Sequence, residues 1–462
     1  MANYQPDNPT GRPFHTVQPQ FVSGESTPNE FLSRCIQTIE ERESTVKAFV
    51  AFDLDRAKAG AEASTERYRR GQHLSPIDGM PVAIKDVIQT KDFPTTFGSP
   101  IYKDNRTGLD SASVDALRRA GAIIVGKTVT TEFAFVSPGP TTNPFDSERT
   151  PGGSSSGSAA AVGAGMVTAA LGNQVVGSVI RPASYCANYA IKPTRGALHG
   201  GEGLSLSQLH LGVHAASLTD MWHVAFEIAQ RAGADPGYPG LYGPGQVAPP
   251  TAPRSLIALE TEGWVECDAK TRNTYQALLA RIEAYGVRLL RREDWPQTEI
   301  FERTIANSLA LCRLLCSYEM RWALRGYRET GLLSEDLAAW LVTADELTLD
   351  DYREALRQRD QMRSELTAIA PLADGMITLA ATGPAPALDH IAVNPDALGT
   401  VFKTGSPTFN SATSALGCPA ITVPVLAVDG LPLGVQVLAA PHQDWSLTAI
   451  AGWLARHSDP TS

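Results

Sequence analysis

Serine, glycine and lysine dominate the segments of this chain whose side chains could do chemistry. Residues 152–158 read GGSSSGS, so four serines and three glycines occupy seven consecutive positions. A serine hydroxyl becomes a good nucleophile when a neighbouring base takes its proton. None of the nine histidines lies in this stretch or in the later motif GSVIRPA at 177–183. The base for a serine nucleophile must therefore come from another residue type.

Lys85 is the candidate base. It follows PVAI, a run of residues typical of an interior strand. Burial disfavours the charged form of lysine, so a buried Lys85 would have a lowered pKa and a neutral amine able to accept a proton. Lysine replaces histidine in known variants of the serine triad. A lysine at a strand end is more often a surface charge, so this position alone does not decide the role.

A second glycine and serine motif supplies the candidate nucleophile. Gly177 allows a tight turn, and Ser178 follows it directly. A serine on such a turn projects its hydroxyl while successive backbone N–H groups converge beside it, which is what an oxyanion hole requires.

Residues 121–128, GAIIVGKT, fit the pattern of a phosphate-binding loop and would indicate a nucleotide-binding protein. Such a loop must follow a strand and open a helix, so that free N–H groups surround the phosphates. Here a predicted helix precedes the motif, and residues 122–125 are themselves strand-forming. The motif therefore predicts a buried strand that ends in Lys127 and Thr128.

The composition favours a soluble globular protein with a small substrate. In 462 residues, 49 acidic and 39 basic side chains give a net charge of −10, which argues against nucleic-acid or anionic-membrane partners and favours an uncharged substrate. Six cysteines are too few for a disulfide framework, and no secretory signal or membrane-spanning stretch is recognised. We expect a cytoplasmic monomer or homodimer without a metal or cofactor.

Helical and strand-like segments alternate along the chain, which predicts an α/β sheet covered by helices on both faces. Strands are predicted in RSLIALE, GMITLA, AITVPV and LGVQVLA, and residues 268–290 and 300–368 are predicted to be mostly helical. Thr27, with Glu30 three residues later, predicts the start of the first long helix. Residues 1–25 are expected to form a flexible arm, and residues 26–462 a single domain.

Three of these segments together resemble the amidase signature family of serine hydrolases. They read GMPVAIKD, NPFDSERTPGGSSSGSAAAV and GSVIRPASYCANYAIKPTRG, and the resemblance extends over about residues 28 to 455. It implies a single α/β/α sandwich with a large central mixed sheet. It also implies that Lys85 is the base and that Ser178 is the nucleophile. Ser154, with a cis peptide bond, would relay the proton between them.

The resemblance further implies that backbone N–H groups of the turn form the oxyanion hole. These belong to Val175, Val176, Gly177 and Ser178. Glycines before Ser154 give the chain room to turn, and an arginine after the nucleophile is interpreted as a structural ion-pair partner. The residues expected to support the site are Gly152, Gly153, Ser155, Gln174 and Arg181.

The chain departs from the family pattern at two places. Val176 and Gly177 stand where the family usually has two glycines, and Asn173 and Gln174 stand where it has a threonine followed by an acid or glutamine. Neither change removes a triad member. The valine narrows the backbone freedom of the oxyanion loop and adds bulk near the substrate.

These residues favour hydrolysis of carboxamides through an acyl-enzyme on Ser178, and the same triad would serve carbamates, ureas or esters. An ammonia-producing amidotransferase subunit is a second possibility, although the tyrosine and arginine motifs of those subunits are not recognised around residues 310–330. Helical apolar residues predict a pocket for an apolar or aryl group. They are Leu309, Leu315, Trp322, Trp340 and Leu341.

Overall fold

The computed structural model describes residues 4–6, 10–201, 206–394 and 400–458. The strands are β1 (Phe49–Phe52), β2 (Pro81–Lys85), β3 (Ile123–Thr128), β4 (Ala169–Gln174), β5 (Tyr189–Lys192), β6 (His210–Ala215), β7 (Ser255–Ala258), β8 (Arg288–Leu290), β9 (Gly375–Leu379), β10 (Ala392–Asn394), β11 (Thr400–Phe402), β12 (Ala420–Val428) and β13 (Leu431–Leu438). The helices are α1 (Gln18–Ser23), α2 (Pro28–Val46), α3 (Leu54–Arg69), α4 (Ala112–Arg119), α5 (Ser156–Gly163), α6 (Ile180–Tyr185), α7 (Leu218–Ala232), α8 (Ala269–Ala284), α9 (Pro296–Ile305), α10 (Ser308–Arg325), α11 (Glu335–Asp345), α12 (Leu349–Ile369), α13 (Ser411–Leu416) and α14 (Asp444–His457).

Eleven strands form one mixed sheet in the order β1-β3-β2-β4-β6-β5-β12-β13-β9-β7-β8. β3, β2 and β4 are parallel neighbours, as are β9, β7 and β8, and the strands between these groups pair antiparallel. Every residue of β2, β3, β6 and β9 is buried. Because alternate side chains point to opposite faces of a sheet, both faces of these strands are covered. The predicted α/β architecture is confirmed.

The strand and helix signals of the sequence coincide with the observed elements. The four predicted strand segments overlap β7, β9, β12 and β13, and the predicted helical stretches overlap α8 to α12, with strand β8 at the end of the first stretch. At the start of α2, the Thr27 hydroxyl accepts from the backbone N–H of Glu30, and the Glu30 carboxylate accepts from the N–H of Thr27. This capping box stabilises the first turn of α2, as the spacing predicts.

The phosphate-loop pattern at residues 121–128 is a buried strand. β3 follows α4, so the order is helix then strand, the reverse of a phosphate loop. The Lys127 ammonium lies 3.1 Å from the Asp86 carboxylate and donates to the Thr95 hydroxyl at 2.7 Å. Lys127 is therefore committed to a buried ion pair, and the nucleotide-binding interpretation has no structural support here.

Part of the segment expected to be a flexible arm is packed on the folded body. Phe14 and Phe21 are buried, and their rings contact Phe31 of α2. Burial of large aromatic side chains holds residues 10–25 in place. The division of the chain at residue 26 stays a prediction. Within the described ranges, the helices are all too short or too polar to cross a membrane.

The sheet brings the candidate base and the candidate nucleophile to the same edge. β2 ends at Lys85 and β4 ends at Gln174, and the two strands run parallel with Ile84 opposite Leu171. The carboxyl ends of parallel neighbours lie side by side, which is where α/β sheets place their ligand sites. Ser178 follows β4 by a short loop.

We predict that Gly157→Ala destabilises the fold. A Cβ atom at Gly157 would lie 2.1 Å from the carbonyl oxygen of Ala48 and 2.5 Å from the backbone nitrogen of Val129, so α5 would have to move away from the sheet. Overpacking of this kind lowers the free energy of unfolding by about 1–3 kcal/mol. The denaturant midpoint measured by circular dichroism reports the change. Gly326→Ala is the control, since its Cβ meets open space; equal midpoints for the two variants would contradict the prediction.

Candidate active site

Lys85 is fully buried at the end of β2. Its ammonium nitrogen lies 2.7 Å from the Ser154 hydroxyl and 2.6 Å from the side-chain oxygen of Asn173, with the carbonyl oxygen of Asn173 at 3.4 Å. No carboxylate forms an ion pair with it among the described residues. Burial lowers the pKa of Lys85 well below its ordinary value. The environment therefore favours a neutral amine.

Asn173 is a site residue that the sequence prediction missed. Its side-chain oxygen makes the shortest contact to Lys85, and it sits one position before the end of β4. The signal in the sequence is its departure from the family pattern, which by itself indicates only a change in the loop. An uncharged amide oxygen orients the lysine without supplying the negative charge that would keep it protonated.

Ser154 lies on a sharp turn between Thr150 and α5. The Gly153–Ser154 peptide bond is cis, as the resemblance implies. Gly152 has φ +82°, and a Cβ atom there would lie 2.8 Å from Cα of Pro182. Only glycine combines this backbone conformation with so close an approach. Gly153 is also tightly packed, since its Cβ would lie 3.0 Å from Thr404.

The two serine loops are tied together through Ser155. Its backbone N–H donates to the carbonyl oxygen of Ser178 at 3.3 Å, and its hydroxyl donates to the carbonyl oxygen of Asn173 at 3.4 Å. Ser155 makes no side-chain cap to α5. It therefore connects the loop that carries Ser154 to the loop that carries Ser178, a supporting contact between the two.

Ser178 is partly exposed and lines a pocket. Its hydroxyl has no hydrogen-bond partner within the described part of the chain, so the link from Ser154 to Ser178 is not closed by a hydrogen bond in this structure. Catalytic hydrogen bonds are often long in unliganded enzymes and tighten when substrate binds. The structure brings Lys85 and Ser154 into contact and places Ser178 on the adjoining loop.

The backbone N–H groups of residues 175–178 are available to a ligand. In the described structure none of them donates to a protein acceptor, whereas the next two, at Val179 and Ile180, donate to the side-chain oxygen of Gln174 at 2.9 and 3.1 Å. Four successive unpaired donors beside a serine hydroxyl suit a developing oxyanion.

Gln174 holds the shape of this loop. It is fully buried, and besides accepting from the two backbone N–H groups it donates to the Ser414 hydroxyl at 3.1 Å. Ser414 in turn donates to the carbonyl oxygen of Val176 at 2.8 Å. The side chains of Gln174 and Ser414 thus fix the loop between β4 and α6. The N–H groups of residues 175–178 are left without a protein acceptor in the described structure.

Arg181 is not an ion-pair partner, so that prediction is wrong. Its guanidinium donates to the carbonyl oxygens of Thr404 at 3.0 Å and Gly153 at 2.7 Å, and to the Thr404 hydroxyl at 3.2 Å. No acid lies within ion-pair distance among the described residues. The sequence could not reveal this, because the acceptors are backbone groups from distant segments. Arg181 instead connects the turn that contains the cis peptide bond to the segment of Thr404.

The pocket beside Ser178 is lined by both apolar and basic side chains. Its apolar lining includes Phe133, Phe135, Leu209, Met320 and Phe402, and its charged lining is Arg181, Arg313 and Lys403.

The five residues predicted to form an apolar pocket do not line it. Leu309, Leu315 and Leu341 are buried in the hydrophobic core, Trp340 packs against Phe135, and Trp322 is 64% exposed. Helical periodicity identified buried faces, but it could not say which buried face borders the cavity. Among the described residues, no cluster of three or more histidine, cysteine or acidic side chains could hold a metal ion.

Comparison with known proteins identifies the family. The family model described as Amidase matches residues 30–447. The chain belongs to the amidase family. A glutamyl-tRNA(Gln) amidotransferase subunit from Chloroflexus aggregans is 31% identical, covering 95% of this chain and 94% of that protein.

Solved structures of similar chains have the same fold. A crystal structure of an amidase matches with a TM-score of 0.80 at 26% identity, covering 96% of this chain and 99% of that one. A structure from a study of a vestigial protein complex and the evolutionary origins of an s-triazine catabolic enzyme matches with a TM-score of 0.81 at 25% identity, covering 96% and 98%. The fold is therefore that of the amidase signature enzymes.

We predict that Gln174→Leu lowers the stability of this amidase-family chain. The change leaves the N–H groups of Val179 and Ile180 buried without an acceptor, which costs about 1–3 kcal/mol for each such group. Chemical denaturation followed by tryptophan fluorescence measures the loss. Gln72→Leu, at an exposed glutamine, is the control and should leave the midpoint unchanged. A Gln174→Leu midpoint equal to that of the parent protein would show that the glutamine does not hold the loop.

Proposed function

We propose that this chain is a serine hydrolase that cleaves the C–N bond of carboxamides through an acyl-enzyme on Ser178. The observation that carries the proposal is the buried contact between Lys85 and Ser154, 2.7 Å long and free of any carboxylate, next to the loop of Ser178. Ser154 is proposed as the relay and Lys85 as the base. Membership of the amidase family supports the same reaction class.

The contacts of Lys85 suit a neutral amine. A neutral amine has two N–H donors and one lone pair, and three oxygen atoms surround this nitrogen. If the two N–H groups donate to the oxygens of Asn173, the lone pair is left to accept the proton of the Ser154 hydroxyl. The Ser154 oxygen is then free to accept the proton of Ser178. The arrangement therefore directs proton movement from Ser178 toward Lys85.

In the proposed reaction, the Ser178 oxygen attacks the substrate carbonyl as its proton passes to Ser154 and the proton of Ser154 passes to Lys85. The N–H groups of residues 175–178 stabilise the oxyanion. The tetrahedral intermediate collapses, the C–N bond breaks, and the leaving nitrogen takes the proton back along the same path. Water then attacks the ester on Ser178 and releases the carboxylate product.

These steps use only groups of the chain and water. The same sequence would cleave carbamates, urea-type compounds or esters, since each presents a carbonyl with a leaving group. Carboxamides are preferred here because the family model that matches is that of amidases.

An ammonia-producing amidotransferase subunit is the second candidate. It is supported by the 31% identity to a glutamyl-tRNA(Gln) amidotransferase subunit over nearly the whole length of both proteins. The two candidates differ in what the isolated chain does. A free hydrolase turns over simple amides without a partner, whereas the subunit would release ammonia from glutamine and depend on its partner for full activity.

We predict that Ser178→Ala and Lys85→Ala each lower kcat/KM for a chromogenic anilide by at least about 1,000-fold, because residues of such a triad act as a unit. Release of the amine is measured by absorbance, and the acyl-enzyme is sought by mass spectrometry of the intact protein. Ser33→Ala, on the exposed surface of α2, should have no effect. Retained turnover in either triad variant would contradict the assignment. Anilides, primary amides including glutamine, carbamates and aryl esters assayed side by side identify the leaving group.

We predict that kcat/KM stays level from neutral to alkaline pH and that Asn173→Asp shifts its acidic limb upward. Burial lowers the pKa of Lys85, so the amine is already neutral where an ordinary lysine, with a pKa of about 10.4, would be charged. A carboxylate at position 173 would favour the ammonium form and so raise the pKa of Lys85. Activity would then be lost near neutral pH and regained at higher pH. An unchanged profile in Asn173→Asp would show that Lys85 is not the titrating base.

A further inference from the structure

Arg313 is a buried cation whose guanidinium finds no anion in the described part of the protein. It lies on α10, is 6% exposed, and lines the same pocket as Ser178. Within the described structure it forms no salt bridge and no hydrogen bond, and its Nε is buried without a partner. Buried polar groups normally have partners, and a buried charge without one is costly. The triad makes no use of this residue.

Aromatic rings fix the position of this guanidinium. Its central carbon lies 4.8 Å from the ring centroid of Phe135 and 4.6 Å from that of Phe402. Cation–π contacts of this kind compensate part of the desolvation of the charge, but they use the face of the guanidinium and leave its N–H edges unpaired. The side chain is thus held in place with its hydrogen-bond donors unused.

Arg181 contributes a second unused donor to the pocket. Three of its hydrogen bonds anchor Nε and Nη2, while Nη1 is buried and unpartnered. A Cβ atom on Gly177 would lie 2.8 Å from this Nη1, so the free donor adjoins the loop whose N–H groups are proposed to bind the substrate carbonyl. An anion at this place would therefore lie a few bonds from the reacting carbon.

The charge of the pocket is uncompensated. The third cation of the lining, Lys403, is paired with Asp336 at 2.6 Å, and no described aspartate or glutamate lines the pocket. Burial lowers the pKa of both Arg181 and Arg313 to about 10, so both stay charged at neutral pH. Two buried cations in one cavity repel each other. A bound anion would offset both this repulsion and the cost of burying the charges.

We propose that Arg313 and Arg181 form a carboxylate-binding subsite, so that the substrates are amides of molecules that also carry a carboxylate close to the scissile bond. This rests on the proposed function and names its substrate class. Guanidinium edges match a carboxylate in two-point hydrogen bonding, which selects it over a neutral group. The net charge of −10 favours an uncharged substrate, but that charge is spread over the whole surface, whereas the pocket is locally basic.

Matched substrates test the subsite in the wild-type protein. Succinamate and glutaramate carry a terminal carboxylate, whereas butanamide and pentanamide have comparable chains without one. We expect kcat/KM to be about 10- to 100-fold higher for each charged amide, as for the loss of charge-assisted hydrogen bonds. Equal or higher kcat/KM for the neutral amides would overturn the proposal.

The variant Arg313→Met, which keeps most of the side-chain length without the charge, should lower the charged-to-neutral ratio of kcat/KM by about 10- to 100-fold. Arg325→Met is the matched control on the exposed side of the same helix, and it should keep the wild-type ratio. A ratio that does not fall in Arg313→Met would overturn the proposal. If that variant does not fold, Arg313→Lys, which keeps the charge but loses the two-point edge, is measured against the same two outcomes.

Binding without turnover separates this proposal from the proposed function. Glutarate is titrated by calorimetry into Ser178→Ala, with and without Arg313→Met. Saturable binding that weakens about 10-fold or more in the double variant supports the subsite even if no amide is hydrolysed. No binding to Ser178→Ala overturns the subsite while leaving hydrolysis by Ser178 untouched.

Discussion

Removal of one lysine from water is the constraint on which the rest of the site depends. Lys85 ends a strand that lies between two parallel neighbours, and among the described residues no carboxylate forms an ion pair with it, since the adjacent Asp86 pairs with Lys127. Its amine is therefore held by oxygens alone, those of Ser154 and Asn173. In water the same side chain would be a cation and could not accept a proton at neutral pH. The wide mixed sheet, with both faces of its central strands covered, keeps Lys85 away from water.

The same burial has a different consequence for the arginines of the pocket. Lysine gives up its proton when it is desolvated, whereas the delocalised guanidinium keeps its charge. Arg181 and Arg313, whose pKa values stay at about 10, therefore remain cations in the pocket that Ser178 lines, whereas burial lowers the pKa of Lys85 well below its ordinary value. In the proposed function, one desolvated region thus holds both the neutral base and the positive charge that binds a carboxylate. The two functions are separated by residue type rather than by distance.

The sequence predicted the strands well where apolar runs are bounded by turns, as in β7, β9, β12 and β13. The composition of residues 1–25 gives no sign that Phe14 and Phe21 pack against Phe31. In the site, motif resemblance gave the positions of Lys85, Ser154 and Ser178. It failed for Arg181, whose partners are the carbonyl oxygens of Thr404 and Gly153. Backbone groups carry no signature in the letters of a sequence.

By itself, the sequence determined the fold class, the family and the residue types available for chemistry, because these follow from periodicity and from short motifs of adjacent residues. Only the tertiary structure decided that Asn173 contacts the lysine, that Gln174 fixes the loop between β4 and α6, and that Arg313 has no hydrogen-bond or ion-pair partner among the described residues. These facts join segments that are far apart in the chain. A side chain's charge and partners depend on what surrounds it in space, and that neighbourhood exists only once the sheet has brought the strand ends together.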